Sequence, residues 1–288
     1  MPIEVPLMTP DNVDADERNE FYRSALSLLS GSGVRFLVGG SYAFERYTGI
    51  GRHTKDFDIF MHPRDVERAL ALLAASGCSS EMTFPHWLAK ATCGDDVVDL
   101  IFSSGNGVAL VDDDWFRFGV VETVLDVAVK LIPPEEMIWS KSFVMERERY
   151  DGADVAHVLR ACATTLDWPR LVQRFAGHWR VLLHHLIIFG FIYPSERARI
   201  PAAVMHELMG RLDTELTRPG PGQACQGTLI SRAQYLTDLE RWGYTDPRLA
   251  PDGNMTPAER ERWTAGIAKD GPGAVEKLVE AAEQVKAA

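Results

Sequence analysis

The sequence has little cysteine and a shortage of basic charge. Only 4 of its 288 residues are cysteines, and they form no CxxC pair, which excludes the common zinc-ribbon and dithiol redox sites. Lysine and arginine total 30 against 41 aspartates and glutamates, for a net charge of −11. Proteins that bind duplex DNA through its phosphates usually carry a basic excess. We therefore expect reduced thiols in a cytoplasmic protein and no duplex DNA partner.

Long hydrophobic runs, repeats and low-complexity tracts are also lacking. Residues 1–20 are rich in Asp, Glu and Pro and have neither the basic nor the apolar region of a secretory signal. The most apolar stretch, Val181 to Tyr193, covers about 13 residues and contains two histidines, which is short for a bilayer span. We therefore expect no membrane association. Hydrophobic residues at 46% and charged residues at 25% are typical of a globular protein.

The pattern of the chain changes near Pro133-Pro134. Before this point helical and extended patterns alternate, and after it the pattern is mainly helical. Three apolar segments read as strands: Val34–Val38, Phe57–Met61 and Val97–Phe102. Strands with helices, followed by helices alone, predict an α+β fold with a sheet-containing domain at 1–132 and a helical domain at 133–288.

Three carboxylates fall on two of these predicted strands. Asp56 and Asp58 are two residues apart, so they share one face of a strand while Phe57 faces the core. Side-by-side carboxylates repel each other unless a cation lies between them. Asp99 stands among apolar neighbours, where an acid is costly unless it is paired or binds a metal. Three such groups on neighbouring strands could hold two Mg²⁺ ions.

A glycine-rich turn precedes this acidic motif. Gly39-Gly40-Ser41 follows an apolar strand and begins a predicted helix. Glycines let the backbone approach a phosphate, and Ser41 at a helix N-terminus adds N–H and hydroxyl donors. Arg52 and Lys55, in the loop between the two motifs, are either further phosphate contacts or exposed loop cations.

Together, Gly39-Gly40-Ser41, the segment Thr54–Asp58 and Asp99 resemble the nucleotidyltransferase superfamily of the DNA polymerase β type, most closely the bacterial minimal and AbiEii-like members. The resemblance implies a small mixed sheet flanked by helices and two-metal transfer of a nucleoside monophosphate from an NTP. It implies catalytic and metal-binding roles for Asp56, Asp58 and Asp99, and phosphate binding by Gly40 and Ser41.

AbiEii-like proteins also carry a lysine and then an acidic motif after the sheet. Lys141, on a predicted helix over Glu135–Arg149, and the segment Arg147–Asp154 are similar. The resemblance implies that Lys141 meets nucleotide phosphates and that Asp154 or Asp151 assists catalysis. The residues alone favour a surface lysine at Lys141.

The sequence therefore predicts a Mg²⁺-dependent nucleotidyltransferase that uses an NTP as substrate. The acceptor stays open between RNA such as tRNA, a protein and a small molecule. A toxin-like role with an antitoxin protein as partner is among the roles that the resemblance allows. The alternative is an inactive nucleotidyltransferase-like module that binds a nucleotide or a regulatory partner.

Overall fold

The protein is described from a computed structural model. The structure describes residues 10–52, 54, 56–218, 220 and 222–265. The chain divides into two compact units. The first comprises the described residues up to 83 together with 88–102 and 111–133; the second comprises 84–87, 103–110 and the described residues from 134 onward. The predicted functional domains, 1–132 and 133–288, remain a prediction.

A seven-stranded mixed sheet forms the centre of the first unit. Its strands in chain order are β1 Phe36–Val38, β2 Asp56–Met61, β3 Ser79–Phe84, β4 Leu88–Cys93, β5 Asp96–Ile101, β6 Val120–Val124 and β7 Val127–Leu131. Their order across the sheet is β3-β4-β5-β2-β1-β7-β6. Strand β2 runs parallel to β5 and antiparallel to β1, while β1 runs parallel to β7. This arrangement confirms the predicted α+β class with a mixed sheet flanked by helices.

The described part of this unit has four α-helices: α1 Pro10–Ser32, α2 Gly40–Thr48, α3 Pro63–Ala75 and α4 Asp113–Phe118. Helix α1 buries Tyr22, Leu26 and Leu29, which recur at helical spacing and so form one apolar stripe. Helix α3 begins with Pro63 in its first turn, a position where the missing N–H costs nothing. Tyr22 stacks on the fully buried Phe57 of β2, with ring centroids 4.8 Å apart.

The hairpin of β3 and β4 is absent from the sequence-based prediction. It also overturns the prediction that all four cysteines are reduced, because Cys78 and Cys93 form a disulfide with their Cα atoms 4.6 Å apart. Cys78 directly precedes β3 and Cys93 ends β4, so strand pairing brings together two residues that are 15 apart in sequence. Cys162 and Cys225 are free. Cytoplasmic localisation, which rested on reduced thiols, stays a prediction.

The second unit is helical in its described part. Its helices are α5 Pro134–Lys141, α6 Gly152–Cys162, α7 Trp168–Phe175, α8 Trp179–Ile192, α9 Ala202–Leu216, α10 Leu236–Arg241 and α11 Pro257–Ala265. The predicted helix over Glu135–Arg149 is wrong beyond Lys141. There the chain turns back on itself, with Met145 bridging to Tyr150 and the Asp151 N–H donating to the Val144 carbonyl.

The apolar stretch near α8 is longer than the sequence suggested. By length and composition alone, the helical segment Trp168–Ile192 could cross a membrane. Of its most apolar 18 residues, 39% are buried inside the protein. The core helix of a soluble protein meets the same criteria. The expected absence of membrane association therefore stays a prediction.

Candidate active site

The acidic face of β2 is set by the alternation of the strand. Phe57 and Ile59 are fully buried, while Asp56 and Asp58 are partly exposed on the other face. Phe57 lies against Tyr22 and Tyr42, at 4.8 Å from each ring. The Thr54 hydroxyl lies 2.6 Å from Asp56 Oδ1, so it orients this carboxylate. Core packing on one face thus fixes the carboxylates on the other.

The glycine turn is seated directly on this face. The Gly39 N–H donates to the Asp58 carbonyl at 3.0 Å, and Gly40, with φ of +54°, is the first residue of α2. A Cβ at Gly40 would lie 2.6 Å from Asp58 Cγ and closer still to Oδ2, whereas a Cβ at Gly39 would overlap the Phe60 ring. Ser41 follows in the first turn of α2, partly exposed. Neither glycine position has room for a side chain, and the N-terminus of α2 lies beside the Asp58 carboxylate.

Asp99 lies on the strand next to these carboxylates. Strand β5 pairs in parallel with β2, and Asp99 is the direct register partner of Asp58. Asp99 is 7% exposed. Desolvation raises its pKa, and its hydrogen bond to Lys90 opposes that effect. The sequence-based expectation that the three aspartates occupy one sheet region agrees with this register; their metal-binding role stays a prediction.

Lys90 is the site residue that sequence reasoning missed. Its Nζ donates to Asp99 Oδ1 at 2.7 Å and to Oδ2 at 3.1 Å. It was missed because β4 was not predicted. The sequence cue for this strand was the two-residue link Gly94-Asp95 between two segments in which apolar and polar residues alternate. In the structure Gly94 has a φ of +61°. Such a link is typical of a β-hairpin, and the hairpin places Lys90 opposite Asp99.

The donor set fits a metal only in part. Within the described residues, no group of three or more His, Cys, Asp or Glu side chains is placed to hold a metal ion. Asp56 and Asp58 supply hard oxygen ligands of the kind that Mg²⁺ takes together with substrate phosphates. Asp99 is already engaged by Lys90. Asp56 and Asp58 are therefore the residues that would hold Mg²⁺, and the predicted two-ion site stays a prediction.

Two predicted phosphate contacts fall in the loop before β2. The Arg52 guanidinium lies 4.3 Å from the centre of the Phe44 ring, a cation–π contact with α2. Lys55 lies outside the described residues. The predicted nucleotide-binding roles of Arg52 and Lys55 stay predictions.

The remaining predicted residues form a cluster in the second unit. Lys141 Nζ lies 3.0 Å from Asp151 Oδ2 and 2.8 Å from Asp154 Oδ2, and both aspartates are buried. Arg149 makes two further hydrogen bonds to Asp151, each 2.9 Å long. The structure thus brings Lys141 together with the acidic motif and shows that it is no free surface lysine. The predicted roles of Lys141 in nucleotide binding and of Asp154 in catalysis stay predictions.

Comparison with known proteins gives distant likenesses. No protein-family model and no curated protein matches the chain. Among solved structures it is similar to the antibiotic-resistance factor ANT(2'')-Ia, at 16% identity over 59% of this chain and 97% of that chain, with a TM-score of 0.42. It is similar to the lincosamide antibiotic adenylyltransferase LnuA, at 16% identity over 49% and 95% (TM-score 0.36). It is also similar to an antigenic nucleotidyltransferase-like protein from Paracoccidioides brasiliensis, at 16% over 66% and 97% (TM-score 0.45). Likenesses this distant do not decide the function, which has to be argued from the residues of the site.

Proposed function

We propose that the protein is a nucleotidyltransferase that moves a nucleoside monophosphate from an NTP to a hydroxyl acceptor. The observation that supports the proposal is the contact between the glycine turn and the acidic face of β2. Gly40 leaves no space between its backbone and the Asp58 carboxylate. A phosphate received at the N-terminus of α2 is thereby next to carboxylates suited to a divalent cation.

Each part of this site has a chemical task in the transfer. The acceptor oxygen bonds to the α-phosphorus, the bond from that phosphorus to the pyrophosphate oxygen breaks, and the acceptor hydroxyl loses its proton to water. The turn at Gly39–Ser41 would orient the phosphates, and Asp56 and Asp58 would hold Mg²⁺. When bound, Mg²⁺ offsets charge on the phosphates. The protein's own contribution is mainly positioning and charge stabilisation.

Transfer of a radiolabel tests the proposal. The full chain is incubated with Mg²⁺, each α-labelled NTP and total cell lysate, and the label is then sought in RNA, protein and small molecules. We expect one acceptor class to be labelled with release of pyrophosphate, and Asp58→Asn to abolish both. Asp96→Asn is the matched control, because Asp96 begins β5 but pairs with Arg18 at 2.9 Å. Labelling by Asp58→Asn at the wild-type rate would refute the site.

A non-catalytic nucleotide-binding module is the second candidate. One observation favours it: two of the four predicted catalytic aspartates, Asp99 and Asp154, are each ion-paired to a lysine. This candidate predicts that the chain binds an NTP without releasing pyrophosphate. Titration calorimetry with each NTP, read beside the pyrophosphate assay, separates the two. A toxin-like role further predicts that expression of the wild type, but not of Asp58→Asn, arrests growth and that an antitoxin protein relieves the arrest.

A further inference from the structure

A row of three charged side chains crosses adjacent strands of the sheet. Lys90 of β4 is the register partner of Asp99 of β5, and Asp99 is the register partner of Asp58 of β2. Directly paired residues on neighbouring strands project from the same face and lie about 5 Å apart. Lysine, aspartate and aspartate therefore stand side by side, and Asp56 lies two residues from Asp58 on that face.

The Lys90 ammonium contacts both oxygens of Asp99, the middle residue of the row. The Lys90 Nζ lies 2.7 Å from Asp99 Oδ1 and 3.1 Å from Asp99 Oδ2. Asp99 is nearly inaccessible, while the Lys90 side chain is 35% exposed. A cation that used Asp99 as a ligand would have to share the carboxylate with an ammonium that already neutralises it at hydrogen-bond distance, and the two positive charges would repel each other. Lys90 and Asp99 together carry no net charge, so Asp99 adds little to the attraction for a second cation.

We infer that Lys90 takes the place of a second metal ion, so that the site binds a single divalent cation at Asp56 and Asp58. Lys90 is a positioning residue in this arrangement: it holds Asp99 and supplies the positive charge that a second ion would otherwise bring. The inference rests on the proposed function, because it takes the acidic face of β2 to be the metal site.

Counting bound Mn²⁺ on the full-length protein tests the inference. Mn²⁺ accepts the same oxygen ligands as Mg²⁺, and free Mn²⁺ is measured directly by electron paramagnetic resonance during titration with the metal alone. We expect one bound ion in the wild type, one in Lys90→Arg and two in Lys90→Met, which frees Asp99. Lys90→Met with Asp99→Asn should return to one. Lys130→Met is the matched control, since Lys130 lies on β7 and donates to a backbone carbonyl instead of a carboxylate.

The outcomes separate this inference from the function on which it rests. Two ions bound to the wild type would overturn the inference but not the assignment of the metal site. A count of one ion in folded Lys90→Met would also overturn the inference. No ion bound to the wild type, or an undiminished count in Asp58→Asn, would overturn the metal site itself. The wild-type count needs no variant, so the inference remains open to refutation if Lys90→Met does not fold. If it folds, Mn²⁺ should raise its melting temperature more than it raises that of the wild type.

Discussion

Replacing Gly40 by alanine tests the contact that supports the proposed function. The residue begins α2 at φ of +54°, and an added Cβ would lie 2.6 Å from Asp58 Cγ and 2.9 Å from Asp58 Cβ. Real Cβ atoms essentially never come within 3.0 Å of a neighbour. The methyl group therefore imposes two separate penalties, one on the backbone and one on the carboxylate.

Gly49 allows the two penalties to be separated. It caps the C-terminus of the same helix at φ of +72°, and nothing lies within 4 Å of a Cβ placed on it. Gly49→Ala should therefore cost only the left-handed backbone strain, about 1 kcal/mol. Gly40→Ala should cost the same strain and a further ~1–3 kcal/mol of overpacking. Because the displaced group is Asp58, transfer activity should fall about 100-fold in Gly40→Ala and stay near wild type in Gly49→Ala.

Urea unfolding and the pyrophosphate assay measure these effects. The double variant Gly40→Ala with Asp58→Ala completes the cycle: with the carboxylate gone, only the 2.9 Å contact with the Cβ of residue 58 remains, so adding the methyl group should cost less than it does in the wild type. Equal stability and equal activity in Gly40→Ala and Gly49→Ala would refute the argument. So would an Asp58→Ala background in which the Gly40 penalty is unchanged.

Three further predictions concern buried ionisable groups of the second unit. Burial lowers the pKa of His185, which hydrogen-bonds the Ser142 carbonyl, from 6.5 to about 4, so the unfolded chain takes up a proton at a higher pH than the folded protein does. Between about pH 7.5 and pH 5 the wild type should therefore lose about 2 kcal/mol of stability that His185→Asn keeps. Urea unfolding at each pH measures this loss. Glu136 is fully buried against Arg170, so Glu136→Gln should cost about 3–5 kcal/mol, and a change under 1 kcal/mol in the urea midpoint analysis would contradict this. Lys141→Ala should cost a similar ~3 kcal/mol because it removes the ammonium that the buried Asp151 and Asp154 share, and unaltered thermal unfolding would contradict this.

Local periodicity accounts for what the sequence predicted correctly. The spacing of two between Asp56 and Asp58, with Phe57 between them, places both carboxylates on one face of any strand that buries Phe57. The turn at Gly39-Gly40 and the helix after it are equally local, since glycine after an apolar strand permits the positive φ that Gly40 adopts. Strands β1, β2 and β5 and the α+β class follow from such patterns within a few residues.

What the tertiary structure decided depends on which strands become neighbours. Lys90 meets Asp99, and Cys78 meets Cys93, because the hairpin of β3 and β4 joins the sheet beside β5. Gly40 has no room for a side chain because Asp58, 18 residues away in sequence, is brought against it. Strand order, register and ion pairing are non-local: each follows from the free energy of the whole packed sheet, and no window of sequence contains it. The sequence by itself determined that Asp56 and Asp58 share one face of a strand. The packing of the sheet decided that Lys90 pairs with Asp99 beside them.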